Sequence, residues 1–307
     1  MKIIVTGGAG FIGSNLAEEL MKRHEVTVID DLSTGRIENL ESIMSRIDFI
    51  RGSITDLELL KREFAGADTI FHQAAIASVQ SSVDNPVASN EANISGTLNV
   101  LVAARDCKVR KVVYASSSAA YGNDPVLPKR EEMRPNPLSP YAVSKLAGEY
   151  YCQAFSEVYG LKTACLRYFN VYGPRQDPNS QYAAVIPRFI TRILAGKAPV
   201  IYGDGEQTRD FAFVQDVVKA NILAMEGPAE GVFNVACGCR VSLNELAAKI
   251  MRITKMSIAP VYEAARPGDV RDSLADISRA RRELGYEPEY DLEMGLEKTV
   301  EWFAKHR

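Results

Sequence analysis

Little in this chain points to a metal, a membrane or a nucleic acid. Three histidines, His24, His72 and His306, are scattered through 307 residues, so a metal centre or a histidine-based catalyst has no partners to build on. The five cysteines (Cys107, Cys152, Cys165, Cys237 and Cys239) show no metal-ligand spacing. Cys237-Gly-Cys239 is too close-set for an unstrained disulfide and lacks the second pair a zinc site needs. A reducing cytoplasm is the expected location, and the sequence opens on a strand pattern rather than a signal peptide. No stretch approaches the roughly eighteen apolar residues of a membrane span. A net charge of -3 offers no basic surface to nucleic acid. There is no internal repeat and no low-complexity tract.

What is present is alternation. Short β-branched runs at Ile3–Thr6, Val26–Ile29, Asp48–Arg51, Thr69–His72, Lys111–Ala115 and Thr163–Arg167 read as buried parallel strands. Helical patterns at Phe11–Arg23, Asp56–Phe64, Pro86–Asp106 and Pro140–Tyr159 fall between them. Strand and helix in strict turn predict an α/β fold, a doubly wound parallel sheet of Rossmann type. After about Tyr168 the pattern loosens, and helices return near Ile186–Leu194, Asp216–Met225, Leu243–Ile253 and Leu292–Lys305. A smaller α/β domain woven in after the sheet is expected: residues 1–168 with about 209–236 for a dinucleotide, about 169–208 and 237–307 for a substrate.

The loop between the first strand and helix reads Gly-Gly-Ala-Gly-Phe-Ile-Gly from Gly7 to Gly13. Glycine at Gly7, Gly10 and Gly13 permits the tight turn, the close approach of backbone to a pyrophosphate, and tight helix–sheet contact. Asp30 closes the second strand, where a carboxylate accepts both hydroxyls of an adenosine ribose. A 2′-phosphate would be repelled by Asp30 and Asp31, which favours NAD over NADP. Further on, Tyr141-Ala-Val-Ser-Lys145 follows Pro140 at a helix start, and the i, i+4 spacing puts phenol and ammonium on one face. The cation, the helix N-terminus and a bound nicotinamide would each favour phenolate and lower the tyrosine pKa. Tyr114–Gly122 ends a strand in three serines, at the sheet edge where ligands bind.

Thr6–Gly13, the serine cluster and the Tyr141/Lys145 pair resemble an extended short-chain dehydrogenase/reductase. Leu166–Pro178 (LRYFNVYGPRQDP), Tyr202–Asp216 and Arg266–Asp276 carry the likeness further, over essentially the full length, to NAD-dependent nucleotide-sugar 4-epimerases. The resemblance closest in detail is to enzymes acting on UDP-glucose and UDP-N-acetylglucosamine. It implies that NAD is lined by Gly7, Gly10, Phe11, Ile12 and Gly13, then Asp30, Asp31, Ser33, Thr34 and Gly35. Ser53 and Ile54 would stand at the adenine, with Gln73, Ala74, Ala75, Ala77, Tyr141, Lys145 and Phe169 completing the site. Three positions depart from the family pattern: Ser53 replaces an aspartate, Ala77 a lysine, and Gln215 a histidine.

By the same resemblance, Asn170 and Arg209 hold the diphosphate, Arg266 and Asp269 complete the nucleotide grip, Val200, Ile201 and Tyr202 flank the uracil, and Val185 joins the substrate wall. The family's catalytic hydroxyl stands four residues before the tyrosine of a Tyr-Gly pair, which selects Ser117, with Ser118 as neighbour. Related dehydratases and decarboxylases carry acids at the two following positions, here Ser118 and Ala119, so the extra acid or base for elimination is missing. The implied reaction oxidises the sugar at C4 and returns the hydride to the other face. Ser273 is implied to leave room beside the sugar C2 substituent, and Gln176 to be a sugar or acetamido contact. UDP-glucose and UDP-galactose are thus the expected pair, with the N-acetylated pair tolerated. An oxidoreductase consuming external cofactor and a non-catalytic binding protein are the alternatives from other classes. The helices Pro86–Asp106 and Tyr141–Tyr159 are implied to pair in a four-helix bundle between two copies. Arg279–Glu283 reads as a solvated helix face.

Overall fold

The computed structural model describes residues 1–178, 184–265 and 270–306. The first half alternates as β1 (Lys2–Thr6), α1 (Phe11–Leu20), β2 (Glu25–Asp30), β3 (Asp48–Arg51), α2 (Leu57–Phe64) and β4 (Thr69–His72). Then come α3 (Val79–Asp84), α4 (Pro86–Asn90), α5 (Gly96–Asp106), β5 (Lys111–Ser117), α6 (Pro140–Tyr159) and β6 (Lys162–Tyr168). The rest comprises α7 (Val185–Leu194), β7 (Val200–Tyr202), β8 (Thr208–Arg209), α8 (Val214–Glu226) and β9 (Gly231–Val235). Last are β10 (Val241–Ser242), α9 (Leu243–Thr254), β11 (Val261–Glu263), α10 (Ser278–Leu284) and α11 (Leu292–Lys305).

Seven strands form one parallel sheet in the order β3-β2-β1-β4-β5-β6-β9, a Rossmann-type α/β fold. The order reverses between β1 and β4, and a crevice opens there beyond the carboxyl ends of the strands. One apolar core fills the face under α1, α8 and α10, and a second fills the face under α2, α5 and α6. Both are made by the β-branched runs, whose side chains alternate to opposite faces. A third core, with Phe189, Ile201, Phe213, Leu246 and Phe303, sits among α7, α9 and α11.

The first helix stops at Leu20 rather than Arg23, because Met21–Arg23 fold into turns. The stretch Pro86–Asp106 is not one regular helix: a π-turn at Glu91–Ser95 joins α4 to α5. Strand β9 escaped the sequence reading, since only five residues, one of them glycine, carry its pattern. It and α8 lie in the layers of the main sheet. So does α10, whose Ala280 and Leu284 join the first core although it falls within 237–307, the stretch expected for the substrate domain.

Candidate active site

β1 ends at Thr6 and the chain turns at Gly7, whose φ of +70° and N–H to the Ile29 carbonyl (2.8 Å) set the loop. A Cβ at Gly7 would lie 2.5 Å from the Ala74 nitrogen, and one at Gly13 only 2.2 Å from the Gly7 carbonyl oxygen. Those two glycines serve the protein's own packing. Gly10 differs: a Cβ there meets only the Gly7 oxygen, at 3.1 Å, and otherwise projects into open space at the start of α1. A glycine that protein packing does not demand, on a helix N-terminus with exposed N–H groups, fits a ligand phosphate.

That space belongs to a cleft of about 290 Å³. Its walls contain each residue expected at the cofactor, from Gly7 through Ala77 to Tyr141 and Lys145, with Phe169 as the exception. Phe169 is buried in the first core, 6.1 Å from the Tyr121 ring. Asp30 lies in the wall with Oδ2 accepting from Ala9 N–H (2.9 Å) and Oδ1 from Leu32 N–H (2.8 Å). Burial pushes its carboxyl above the usual range, and the two N–H bonds offset part of that rise.

At the other end stand Tyr141 and Lys145. Pro140 opens α6, and Ser139 caps it by accepting from Ala142 N–H. Burial lowers the Lys145 ammonium to about 8. It donates to the Ala115 carbonyl (2.8 Å) and lies 6.0 Å from the Tyr141 ring centroid. The expected lowering of the Tyr141 phenol is not met by the chain's own groups. Burial raises the phenol above its ordinary value, and a hydrogen bond with Ser117 offsets part of that rise. Ser117 ends β5, and its hydroxyl also accepts from Ala119 N–H (3.2 Å).

On the expected substrate side, Asn170 has φ +33° and donates from Nδ2 to the Asp210 carbonyl (2.9 Å). Arg209 lies on β8 and donates to the carbonyls of Thr208 and Arg271 at 2.9 and 3.2 Å. Ser273 N–H bonds to the Thr208 carbonyl (3.1 Å). Asp210 ties these segments together. Its buried carboxylate accepts from Cys237, Gly238 and Ala275 N–H, while burial holds it up at about 6. Gln176 donates to the Val171 carbonyl (3.1 Å), and its buried Oε1 has no hydrogen-bond partner among the described residues. Val200 and Tyr202 are half-buried, whereas Ile201 turns into the third core, so its side chain does not face outward beside them. Ser118 starts a short turn beside Ser117, and Val185 opens α7 against the third core. Arg266 and Asp269 lie outside the described residues.

Sequence reading missed several members of the cleft wall. Arg36 and Asp177 meet across it in an ion pair of 2.9 Å, and Arg175, at φ +71°, pairs with Glu18 at 2.6 Å. Asn93, behind the wall residue Ile76, was also missed, although an asparagine inside an apolar helical pattern could have signalled it. The π-turn presents its carboxamide to Ile76, N–H to Oδ1 at 2.8 Å, and its Nδ2 to Ser144 Oγ at 3.1 Å. It thereby fixes the loop after β4 against α6. π-Turns of this kind frequently mark functional sites.

His72, at the end of β4, is a structural residue. It is 1% exposed, with its ring nitrogens on Thr6 Oγ1 (2.8 Å) and Thr97 Oγ1 (2.9 Å), and burial lowers it to about 3. The unfolded chain binds a proton near the ordinary value of 6.5 that the native state refuses. Stability is therefore expected to fall as pH drops from about 6.5 toward 3. Melting curves of His72→Gln and the parent should converge along that acid limb; parallel curves would contradict the assignment.

All five cysteines are free thiols, and among the described residues no three His, Cys, Asp or Glu side chains gather into a metal site. Among the same residues no helix is long and apolar enough to cross a membrane.

Residues 3–236 match the family described as NAD dependent epimerase/dehydratase. A UDP-glucose 4-epimerase of Mycolicibacterium smegmatis is 43% identical over 311 residues, spanning 99% of this chain and 98% of its own length. The structure of a UDP-N-acetylglucosamine 4-epimerase from Methanobrevibacter ruminantium M1, in complex with UDP-N-acetylmuramic acid, superposes with a TM-score of 0.97 at 44% identity. That match covers 100% of this chain and 99% of the other. A UDP-N-acetyl-alpha-D-glucosaminuronate decarboxylase of Bacillus cytotoxicus is 35% identical, over 99% of this chain and 98% of its own length.

Proposed function

The chain belongs to the NAD dependent epimerase/dehydratase family, and from that premise we propose that it is a UDP-hexose 4-epimerase. It interconverts UDP-glucose and UDP-galactose, and also UDP-N-acetylglucosamine and UDP-N-acetylgalactosamine. One observation carries this: Tyr141 and Lys145 form the wall of the same cleft that Gly10 and Asp30 open for the dinucleotide. The acid–base pair would therefore stand beside the nicotinamide of a dinucleotide bound there.

Bound NAD supplies a hydride sink at the nicotinamide and a positive charge beside the phenol. The Gly7–Gly13 loop, with Gly10 at the opening, would hold its pyrophosphate, Asp30 its ribose, and Ser53 and Ile54 the adenine end. Tyr141 as phenolate, linked through Ser117, removes the proton of the sugar 4-hydroxyl and returns it. Lys145 keeps a cation beside the phenol and would orient the cofactor ribose. Asn170, Arg209, Arg266 and Asp269 anchor the diphosphate and nucleotide, so that the flat 4-ketose turns while UDP stays fixed. Ser118 and Ala119 supply no second acid or base, which disfavours the elimination and decarboxylation chemistry of some relatives.

Specificity is assigned to Ser273 and Gln176. The Oε1 of Gln176, without a partner among the described residues, suits an amide N–H, and serine at 273 leaves room for an acetamido group. Ser273→Tyr is expected to lower kcat/KM for UDP-N-acetylglucosamine by about tenfold or more, with UDP-glucose changed only about threefold. Equal losses on both sugars would contradict that role. The overall reading is tested by incubating the purified protein with each sugar nucleotide and following C4 epimers by NMR. A ketose, pentose or reduced product in their place would overturn it.

We further assign residues 1–168 and about 209–236 to a cofactor domain and the remainder to a substrate domain. A cytoplasmic location is assigned on the free thiols. A homodimer is assigned on the exposed apolar residues of α4 and α6, among them Val87, Val143, Tyr150 and Val158, which suit a four-helix bundle between copies.

A further inference from the structure

A buried charge pair lies directly beneath the catalytic strand end, with no part in the chemistry above. Ser116 and Ser117 are adjacent on β5, so their side chains leave opposite faces of the strand. The Ser116 hydroxyl donates to Glu149 Oε1. Arg167, on β6, forks onto the same carboxylate, Nε to Oε1 at 2.8 Å and Nη2 to Oε2 at 2.7 Å. All three residues are buried, and the Arg167 guanidinium lies 4.6 Å from the Tyr121 ring centroid. The Tyr121 hydroxyl in turn donates to Asn234 Oδ1 at 2.7 Å, reaching β9.

Glu149 stands on α6 two turns beyond Tyr141, with Lys145 midway. One carboxylate thus joins the helix that carries the phenol and ammonium to the strand that carries Ser117. The seam is already tight, because a Cβ at Gly148 would lie 2.2 Å from the Tyr114 hydroxyl oxygen, and Lys145 holds the Ala115 carbonyl. A buried ion pair stabilises a fold no better than apolar groups of the same volume. What it does supply here is direction: three donors, the Ser116 O–H and the Arg167 Nε–H and Nη2–H, converge on the one Glu149 carboxylate, so the spacing of α6 from the end of β5 is set by hydrogen-bond length.

We propose that Glu149, together with Arg167 and Ser116, is a positioning device for proton transfer, holding α6 and the end of β5 in the register that keeps the Ser117 hydroxyl on the Tyr141 phenol. None of the three touches the sugar. The inference rests on the epimerase reading for its kinetic consequence only. The titratable groups facing the phenol from α6 and β5 are Lys145 and Tyr114. Ser117 is the group that pulls the phenol down, so slackening the seam raises it.

Ser116→Ala tests this while leaving the ion pair whole. With NAD-loaded protein and no sugar, ionisation of Tyr141 is read at 295 nm as the difference between otherwise identical chains with and without Tyr141→Phe. The midpoint is expected to rise by about half a pH unit or more, the scale of a weakened hydrogen bond. In turnover, kcat is expected to fall roughly tenfold, its acid limb moving to higher pH, while KM and bound NAD stay within about twofold. A double variant, Glu149→Gln with Arg167→Met, removes both charges together and is expected to act in the same direction. An unchanged midpoint with unchanged kcat overturns the proposal, as does a loss confined to KM or NAD content. A parent that turns over no UDP-sugar would sink the epimerase reading instead, and the phenol titration would still decide the positioning role.

Discussion

Tyr141→Phe is expected to lower turnover by about 10²–10⁴-fold, the range a positioned acid–base group supplies, while NAD binding and the melting temperature stay close to the parent's. The phenol oxygen stands in the cleft wall in a hydrogen bond with Ser117, placed to take and return the 4-hydroxyl proton. Lys145 donates to the Ala115 carbonyl, and Asp30 is occupied by two backbone N–H groups at the far end of the cleft. Phenylalanine keeps the ring in place and removes only the proton acceptor. NAD content is measured by absorbance after denaturation, and turnover by product formation. Turnover within about threefold of the parent would remove Tyr141 from the mechanism.

The second large effect separates two glycines three residues apart. At Gly13 a methyl group would lie 2.2 Å from the Gly7 carbonyl oxygen and 2.8 Å from the Gly8 Cα, both backbone atoms that cannot step aside. Gly13→Ala should therefore lower the melting temperature of the protein by several degrees whether or not NAD is present, the scale of an overpacked core of about 1–3 kcal/mol. At Gly10 the same methyl meets only one protein atom, at 3.1 Å, and stands where backbone approaches the pyrophosphate. Gly10→Ala should leave the melting temperature without NAD almost unchanged and abolish most of the rise that NAD produces. Thermal scans with and without NAD check both at once. Identical behaviour of the two variants would show that Gly10 is a packing glycine like its neighbour.

The two halves of the chain differ in how much they disclose. Strand runs such as Asp48–Arg51 and Thr69–His72 coincide with their predicted limits: Thr69–His72 is buried throughout, and Phe49–Ile50 carry the apolar pair of an edge strand whose charged ends are exposed. The cofactor cleft was legible too. Its residues follow strand ends in chain order: pattern placed Gly7 and Asp30 there, and the family resemblance implied Ser53 and Gln73. Arg36 and Asp177 were not legible, since they are far apart in sequence and meet only once the loops after β2 and β6 fold over the crevice. The Glu149–Arg167 pair was hidden for the opposite reason. Each member sits in a regular element, where a charge reads as solvated until the packing shows it is buried. Nor could spacing foretell the rise of the Tyr141 phenol: four residues along a helix bring Lys145 to the same face, but the ammonium turns to a backbone carbonyl and burial outweighs the Ser117 hydrogen bond.

The central claim is that the protein oxidises a sugar nucleotide at C4 and gives back the same hydrogen to the opposite face, with no net use of cofactor. UDP-glucose deuterated at C4, incubated with the purified protein in ordinary water without added NAD, tests it most directly. The account predicts UDP-galactose that retains deuterium at C4, formed over many turnovers per protein chain. Product carrying solvent hydrogen at C4, or turnover that stops at one equivalent of supplied NAD, would contradict it.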